Sequence, residues 1–310
     1  MIRKTLALAA LTGAVLLAGC QPKQDTSAPI GTEANPLRFS ILSAEDQASM
    51  QSYWQPLMDE IKVKTGLVVK PYYSSNYTLL VEAMAGNQVQ AGWFSAQPAV
   101  EAINRANAEV FARTADLEGR ETYRSVILAR KGSGVTLAKL LKCDQTLTFG
   151  MGDPESTSGT LAPLTYLFLP KHIDPTKCFK TVRSASHQAN MLGVANGTLD
   201  AATNNTTGMA FYKTGSAEAQ DAVAKTQVIW ESPDLPESAV LYRKDLDPQV
   251  KAKLAGFFLN YGKAAGAEGE RQRAVLRKLK YSSFNPATDA YLAPVIEMRK
   301  AKAALSSTQH

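Results

Sequence analysis

The stretch LTFGMGDPESTSGTLAP, residues 147–163, sets the architecture of the chain. LTFG is a short apolar strand pattern, and a Gly-, Ser- and Thr-rich loop follows it. A helical pattern then starts near Gly159 or Thr160. Strand, loop and helix N-terminus together present free backbone N–H groups to an anion. Ser156, Thr157 and Ser158 add three hydroxyl donors. Pro163 is tolerated only in a first helical turn, so the helix is expected no earlier than about Gly159. More specialised loops fail at single letters. A P-loop needs a lysine after its last glycine, and no glycine of this loop is followed by one. A dinucleotide fingerprint begins at Gly150 and Gly152 but meets Glu155 where a third glycine belongs. A nucleophile elbow, GxSxG, is absent. An ordinary serine-capped helix start is the plain alternative.

The same alternation runs outward in both directions. LRFSIL (37–42) alternates as a strand, and Ser43 with Asp46 three residues on resembles a capping box for the next helix. Met50, Trp54, Leu57 and Ile61 form one apolar stripe, and Gly66 supplies a left-handed cap. Strand patterns at LVVKPYY, VQAGWF, VFART, YRSVILAR, FKTV and LDAATNN follow. Helices are expected near 78–85, 98–107, 136–142, 160–170 and 188–196. Later strands fall at 226–231 and 239–243, and helices after Pro248 and over 287–305. Strands alternating with helices predict βαβ units and a mostly parallel sheet. Two extended stretches, about 123–130 and 232–243, are candidate crossings between lobes.

The 310 residues fit one large domain or two medium ones, with a formal charge of +6. The basic residues are scattered, which points to a solvated mixed surface and away from nucleic-acid binding. Arg3 and Lys4 precede an apolar run over 5–18, too short to span a bilayer, that ends in Leu17-Ala18-Gly19-Cys20. This resembles a lipoprotein signal, with residues 1–19 removed and Cys20 lipidated; an ordinary cleaved signal peptide is the alternative. Loss of Arg3 and Lys4 leaves about +4. Residues 20–36, polar and rich in Pro, Gly, Ser and Thr, read as a tether. The chain is therefore expected outside the cytoplasm, in the periplasm or cell envelope. In that oxidising setting Cys143 and Cys178, each just before a strand pattern, are expected to pair, with two buried thiols as the alternative. No His or Cys spacing points to a metal.

His187, in RSASHQAN, sits between a strand and a helix, like the serines. In a parallel sheet such loops gather at the strand ends where ligands bind; a capping histidine is the bland reading. Ser156, His187 and Asp200 contain the letters of a hydrolytic triad, but no motif places them. Tyr77 and Tyr123 lie at a strand–helix junction and at the first crossing.

Together, FGMGDPESTSG, LGVANGTLDAATNNT, AGWFSAQPAVEAINRAN, VIWESP and FFLNYGK resemble the phosphonate-binding proteins of bacterial ABC importers, part of the wider phosphate/phosphite/phosphonate-binding group. The resemblance covers about residues 37–295. It implies an α/β, two-lobed periplasmic binding protein fold (type II) with the ligand in the cleft. Lobe one is expected at 37–125 and 239–310, and lobe two at 126–238. It implies a receptor without cofactor, metal or catalysis, a monomer working with permease and ATPase subunits. Ser156, Thr157, Ser158 and His187 match the head-group contacts, and Tyr77 and Tyr123 match cleft tyrosines. In aminoethylphosphonate binders of this group two acidic residues hold the ammonium; those positions fall on Thr207 and Ser238, with Glu237 one residue away and able to help only if the loop is shifted. Two lost charge-assisted bonds, about 1.5–3 kcal/mol each, approach 10²- to 10⁴-fold in affinity. A phosphonate with a small or uncharged substituent, or phosphite, is expected instead. The competing expectations are an exported hydrolase using His187 and a serine, and a lipid-anchored sensor for another small anion.

Overall fold

The computed structural model describes residues 27–44 and 47–307. The signal segment, Cys20, Asp46 and His310 lie outside them. Two mixed sheets carry the fold. The first holds six strands in the order β13-β4-β12-β3-β1-β2: β1 (Leu37–Leu42), β2 (Val69–Ser74), β3 (Ala91–Phe94), β4 (Ala108–Asp116), β12 (Ala239–Arg243) and β13 (Tyr281–Pro286). The second holds five in the order β10-β6-β9-β7-β8: β6 (Ser125–Arg130), β7 (Thr148–Met151), β8 (Thr181–Ser184), β9 (Ala201–Asn205) and β10 (Thr226–Glu231). Between the two sheets run β5 (Thr122–Tyr123) and β11 (Leu235–Pro236), paired antiparallel. This short ribbon is where the chain crosses from one lobe to the other and returns.

The sheets are less parallel than expected. Helical crossovers make β1 parallel to β2 and β3, and β7 parallel to β8 and β9. The strands that enter straight from the crossings, β6 and β12, run antiparallel to both neighbours. An antiparallel strand needs no helical return, so the lobes close with fewer residues.

Lobe one is built on the predicted stripe. Met50, Trp54, Leu57 and Ile61 are all buried along the helix Gln47–Thr65. Trp54 and Phe258 close on Phe39, which stacks on Phe258 with centroids 5.4 Å apart. Gly66, at φ +74°, takes the left-handed cap that a side chain resists. In lobe two, Phe149, Phe168 and Phe179 form a compact aromatic core. Cys143 and Cys178 are joined in a disulfide beneath that core. It ties the segment before β7 to the segment before its parallel neighbour β8.

Several expectations need correction. The tether was expected to run to residue 36, yet Gly31 accepts from the Val68 N–H at 2.7 Å and the Asn35 side chain bonds the Ala28 carbonyl. The domain is thus bonded from about residue 28. The first helix is described from Gln47, and Ser43 Oγ is buried without a hydrogen bond, while Asp46, the other half of the expected capping box, lies outside the described residues. The helices Thr206–Tyr212, Ala217–Lys225 and Gly266–Lys278 and strand β13 carry patterns too short or too polar to have been read.

Candidate functional site

Strand β7 delivers the 152–158 loop to the cleft. The loop is pinched shut by two glycines: the Gly152 N–H donates to the Gly159 carbonyl at 2.9 Å, and a Cβ on Gly152 would lie 2.7 Å from the Gly159 Cα. Ser156 is the helix cap, its Oγ accepting from the Gly159 N–H at 2.9 Å. The helical turn begins at Thr157, earlier than Pro163 was expected to allow, and it is a wide turn with i→i+5 bonds. The carbonyls that Pro163 would have served are bonded otherwise. Ser125 Oγ donates to the Ser158 carbonyl at 2.6 Å, and Thr203 Oγ1 to the Gly159 carbonyl at 2.9 Å. The missing proline N–H therefore leaves no orphan acceptor.

His187 opens the helix His187–Asn196, capped by Ser186. Its Nε2 lies 3.3 Å from Ser158 Oγ, and Asn204 Nδ2 donates to its carbonyl at 2.8 Å. Burial pushes its pKa down to about 4, against the opposing pull of the Thr203 backbone. The ring is neutral at neutral pH and can donate one N–H to an anion.

Ser156, Ser158 and His187 line a cavity of about 50 Å³ between the lobes, with Tyr77, Tyr123, Thr207, Glu237 and Ser238. Among the described residues no lysine or arginine lines it. Burial, and then nearby Glu237, raise the pKa of Tyr123 against the opposing hydrogen bonds of the Ser158 and Thr157 hydroxyls. A wider space of about 270 Å³, with Ser43, Asp153 and Ser186, lies beside it and shares Tyr77, Ser156 and His187.

Glu237 is the surprise. It needs no shifted loop: its side chain is 2% exposed and lines the cavity. Oε1 accepts from Thr207 Oγ1 at 2.8 Å; Oε2 accepts from the Ser238 N–H at 3.0 Å and Thr114 Oγ1 at 3.3 Å. Burial raises its pKa despite those bonds, favouring the neutral acid. Thr207 and Ser238 thus stand where expected but hold a carboxyl group between them. Thr157 also departs from expectation. It does not line the cavity, and its Oγ1 accepts from the Gln97 N–H at 2.8 Å across the cleft. The triad letters do not assemble: Asp200 bonds the Thr148 N–H and hydroxyl at 2.7 and 2.8 Å, before the opposite end of β9 from His187. Sequence reading missed Trp93 and Tyr281, both of which line the cavity. Trp93 stood in a recognised strand, where alternation could have placed it on the cleft face; Tyr281 opens the unread β13.

The fold and this oxyanion-sized pocket of neutral donors define a two-lobed solute-binding protein of type II. A family model for the phosphonate periplasmic substrate-binding proteins of ABC transporters matches residues 39–292, and the chain belongs to that family. It is 36% identical over 263 residues to the phosphonates-binding periplasmic protein of Escherichia coli K12, covering 84% of this chain and 75% of that one. A binding protein component of an ABC phosphonate transporter from Pseudomonas aeruginosa superposes with a TM-score of 0.83 at 34% identity, covering 91% of this chain and 89% of that one. PhnD1 of Prochlorococcus marinus shares the fold with a TM-score of 0.73 at 20% identity, over 85% of this chain and 97% of that one. The family is one of transport receptors rather than enzymes.

Proposed function

We propose that the protein captures a phosphonate or related phosphorus oxyanion in the periplasm and delivers it to a membrane permease. The observation that carries this reading is the cluster of Ser156, Ser158 and His187 at two helix starts, inside a cavity that no lysine or arginine among the described residues lines. Neutral donors suffice: micromolar affinity needs only about 8 kcal/mol in total. They also suit a receptor that must release its load. Lobe one (37–125 and 239–310) and lobe two (126–238) close on the ligand about the β5–β11 ribbon. Lipidated Cys20 anchors the chain, which acts as a monomer beside its permease and ATPase.

The ligand's substituent is small or uncharged, as in methylphosphonate, or is absent, as in phosphite. Glu237 is the single carboxyl group lining the cavity, among the described residues, and it already accepts three hydrogen bonds. Burial raises its pKa, which lowers the cost of placing an oxyanion near it. An ammonium would find one carboxyl partner rather than two, at a loss of about 1.5–3 kcal/mol, or tenfold or more in affinity. Ser156→Ala with Ser158→Ala tests the cradle. Titration calorimetry is expected to show methylphosphonate binding largely abolished while circular dichroism stays native. Retained wild-type affinity would remove these residues from the site.

A further inference from the structure

The loop that carries the head-group serines also reaches across the cleft. Three of its side chains bond across to two helices of lobe one. Thr157 Oγ1 accepts from the backbone N–H of Gln97, at the start of the helix Ala96–Arg105, and lies 3.5 Å from Ser95 Oγ. Ser95 itself makes no capping bond to that helix, so a hydroxyl from the other lobe satisfies one of its free N–H groups. The Glu155 carboxylate accepts from Gln97 Nε2 at 2.8 Å. Asp153 faces the backbone N–H of Tyr77, at the start of the helix Tyr77–Ala85. Two carboxylates and a hydroxyl of lobe two thus sit at the positive ends of two lobe-one helices, where negative charge is stabilised.

We propose that Asp153, Glu155 and Thr157 form an interlobe latch with Gln97 and Tyr77, built into the same loop that binds the head group. Ser156 and Ser158 read the ligand; the residues between and before them hold the lobes together. An anion that orders the loop through Ser156 and Ser158 then positions the latch as well, so capture and closure are one event. The latch residues are positioning residues: they set how long the ligand stays, not which ligand is chosen. The proposal rests on the phosphonate reading of the cavity for its ligand, but not for its geometry.

The test is a double-mutant cycle on Gln97→Ala and Glu155→Ala, read by stopped-flow tryptophan fluorescence with methylphosphonate and with phosphite. The latch predicts that each variant releases either ligand about five- to tenfold faster, within the range for one ordinary intramolecular hydrogen bond. The double variant should be no worse than either single one. The association rate and the methylphosphonate-to-phosphite affinity ratio stay within about twofold, because neither residue lines the cavity. Unchanged release, additive losses or an altered ligand ratio each overturn the latch. Failure of the wild type to bind either probe removes the ligand assignment alone. Hydrogen exchange of the Gln97 amide then decides the latch, with exchange at least tenfold faster in Thr157→Val than in Thr157→Ser expected and equal rates overturning it.

Discussion

Replacing His187 by glutamine tests whether the site is built around a buried neutral imidazole. The ring is 3% exposed, and its pKa is pushed down to about 4 from 6.5. The folded protein therefore binds fewer protons here than the unfolded chain between those values. Stability contributed by this site is complete above about pH 7 and is lost as pH falls toward 4. With those two pKa values the loss between pH 7 and pH 5 is about 2 kcal/mol, approaching about 3 kcal/mol below pH 4. Asp153 and Glu237, whose pKa values burial raises, act in the opposite direction. They are present in both proteins and cancel in the difference. Urea unfolding of wild type and His187→Gln at pH 7 and pH 5 measures that difference directly. The wild type should lose about 2 kcal/mol more than the variant on acidification. Equal losses would show that His187 is not a buried neutral group and would refute the reasoning.

Other perturbations address the frame around it. Reducing the Cys143–Cys178 bond, or replacing both cysteines by serine, should lower stability by about 3–4 kcal/mol for a closed loop of 35 residues, read from unfolding midpoints with and without reductant. Gly159→Ala places a Cβ 2.7 Å from the Gly152 Cα and 2.9 Å from Ser156 Oγ. It should weaken methylphosphonate binding at least tenfold by spreading the pinched loop, with the loss visible in calorimetry and a destabilisation of about 1–3 kcal/mol in unfolding. Gly92→Ala, whose Cβ would meet Ser40 Oγ at 2.2 Å and the Ser40 carbonyl at 2.8 Å, should destabilise by a similar amount while leaving the affinity of the folded fraction unchanged.

What the letters revealed was mostly local. The Gly-Ser-Thr grammar of 149–160, the apolar stripe from Met50 to Ile61 and the cap at Gly66 are decided by neighbours in sequence. What stayed hidden depends on partners far along the chain. Pro163 looked confined to a first helical turn because its relief comes from Ser125 and Thr203. Glu237 looked misplaced because its orientation is fixed by the β5–β11 pairing and by bonds from Thr114 and Thr207. Strand β13, with two serines among its six residues, gains its identity only by pairing with β4, more than 160 residues earlier. Thr157 reads as one of three equivalent hydroxyls until the opposite lobe supplies Gln97.

Calorimetric titration of the purified protein with methylphosphonate and with aminoethylphosphonate bears most directly on the central claim. The account predicts that methylphosphonate binds at micromolar concentration or below, about tenfold or more tighter than aminoethylphosphonate. Tighter binding of aminoethylphosphonate would show that Glu237 holds a cationic tail, and no binding of either would contradict the oxyanion cradle itself.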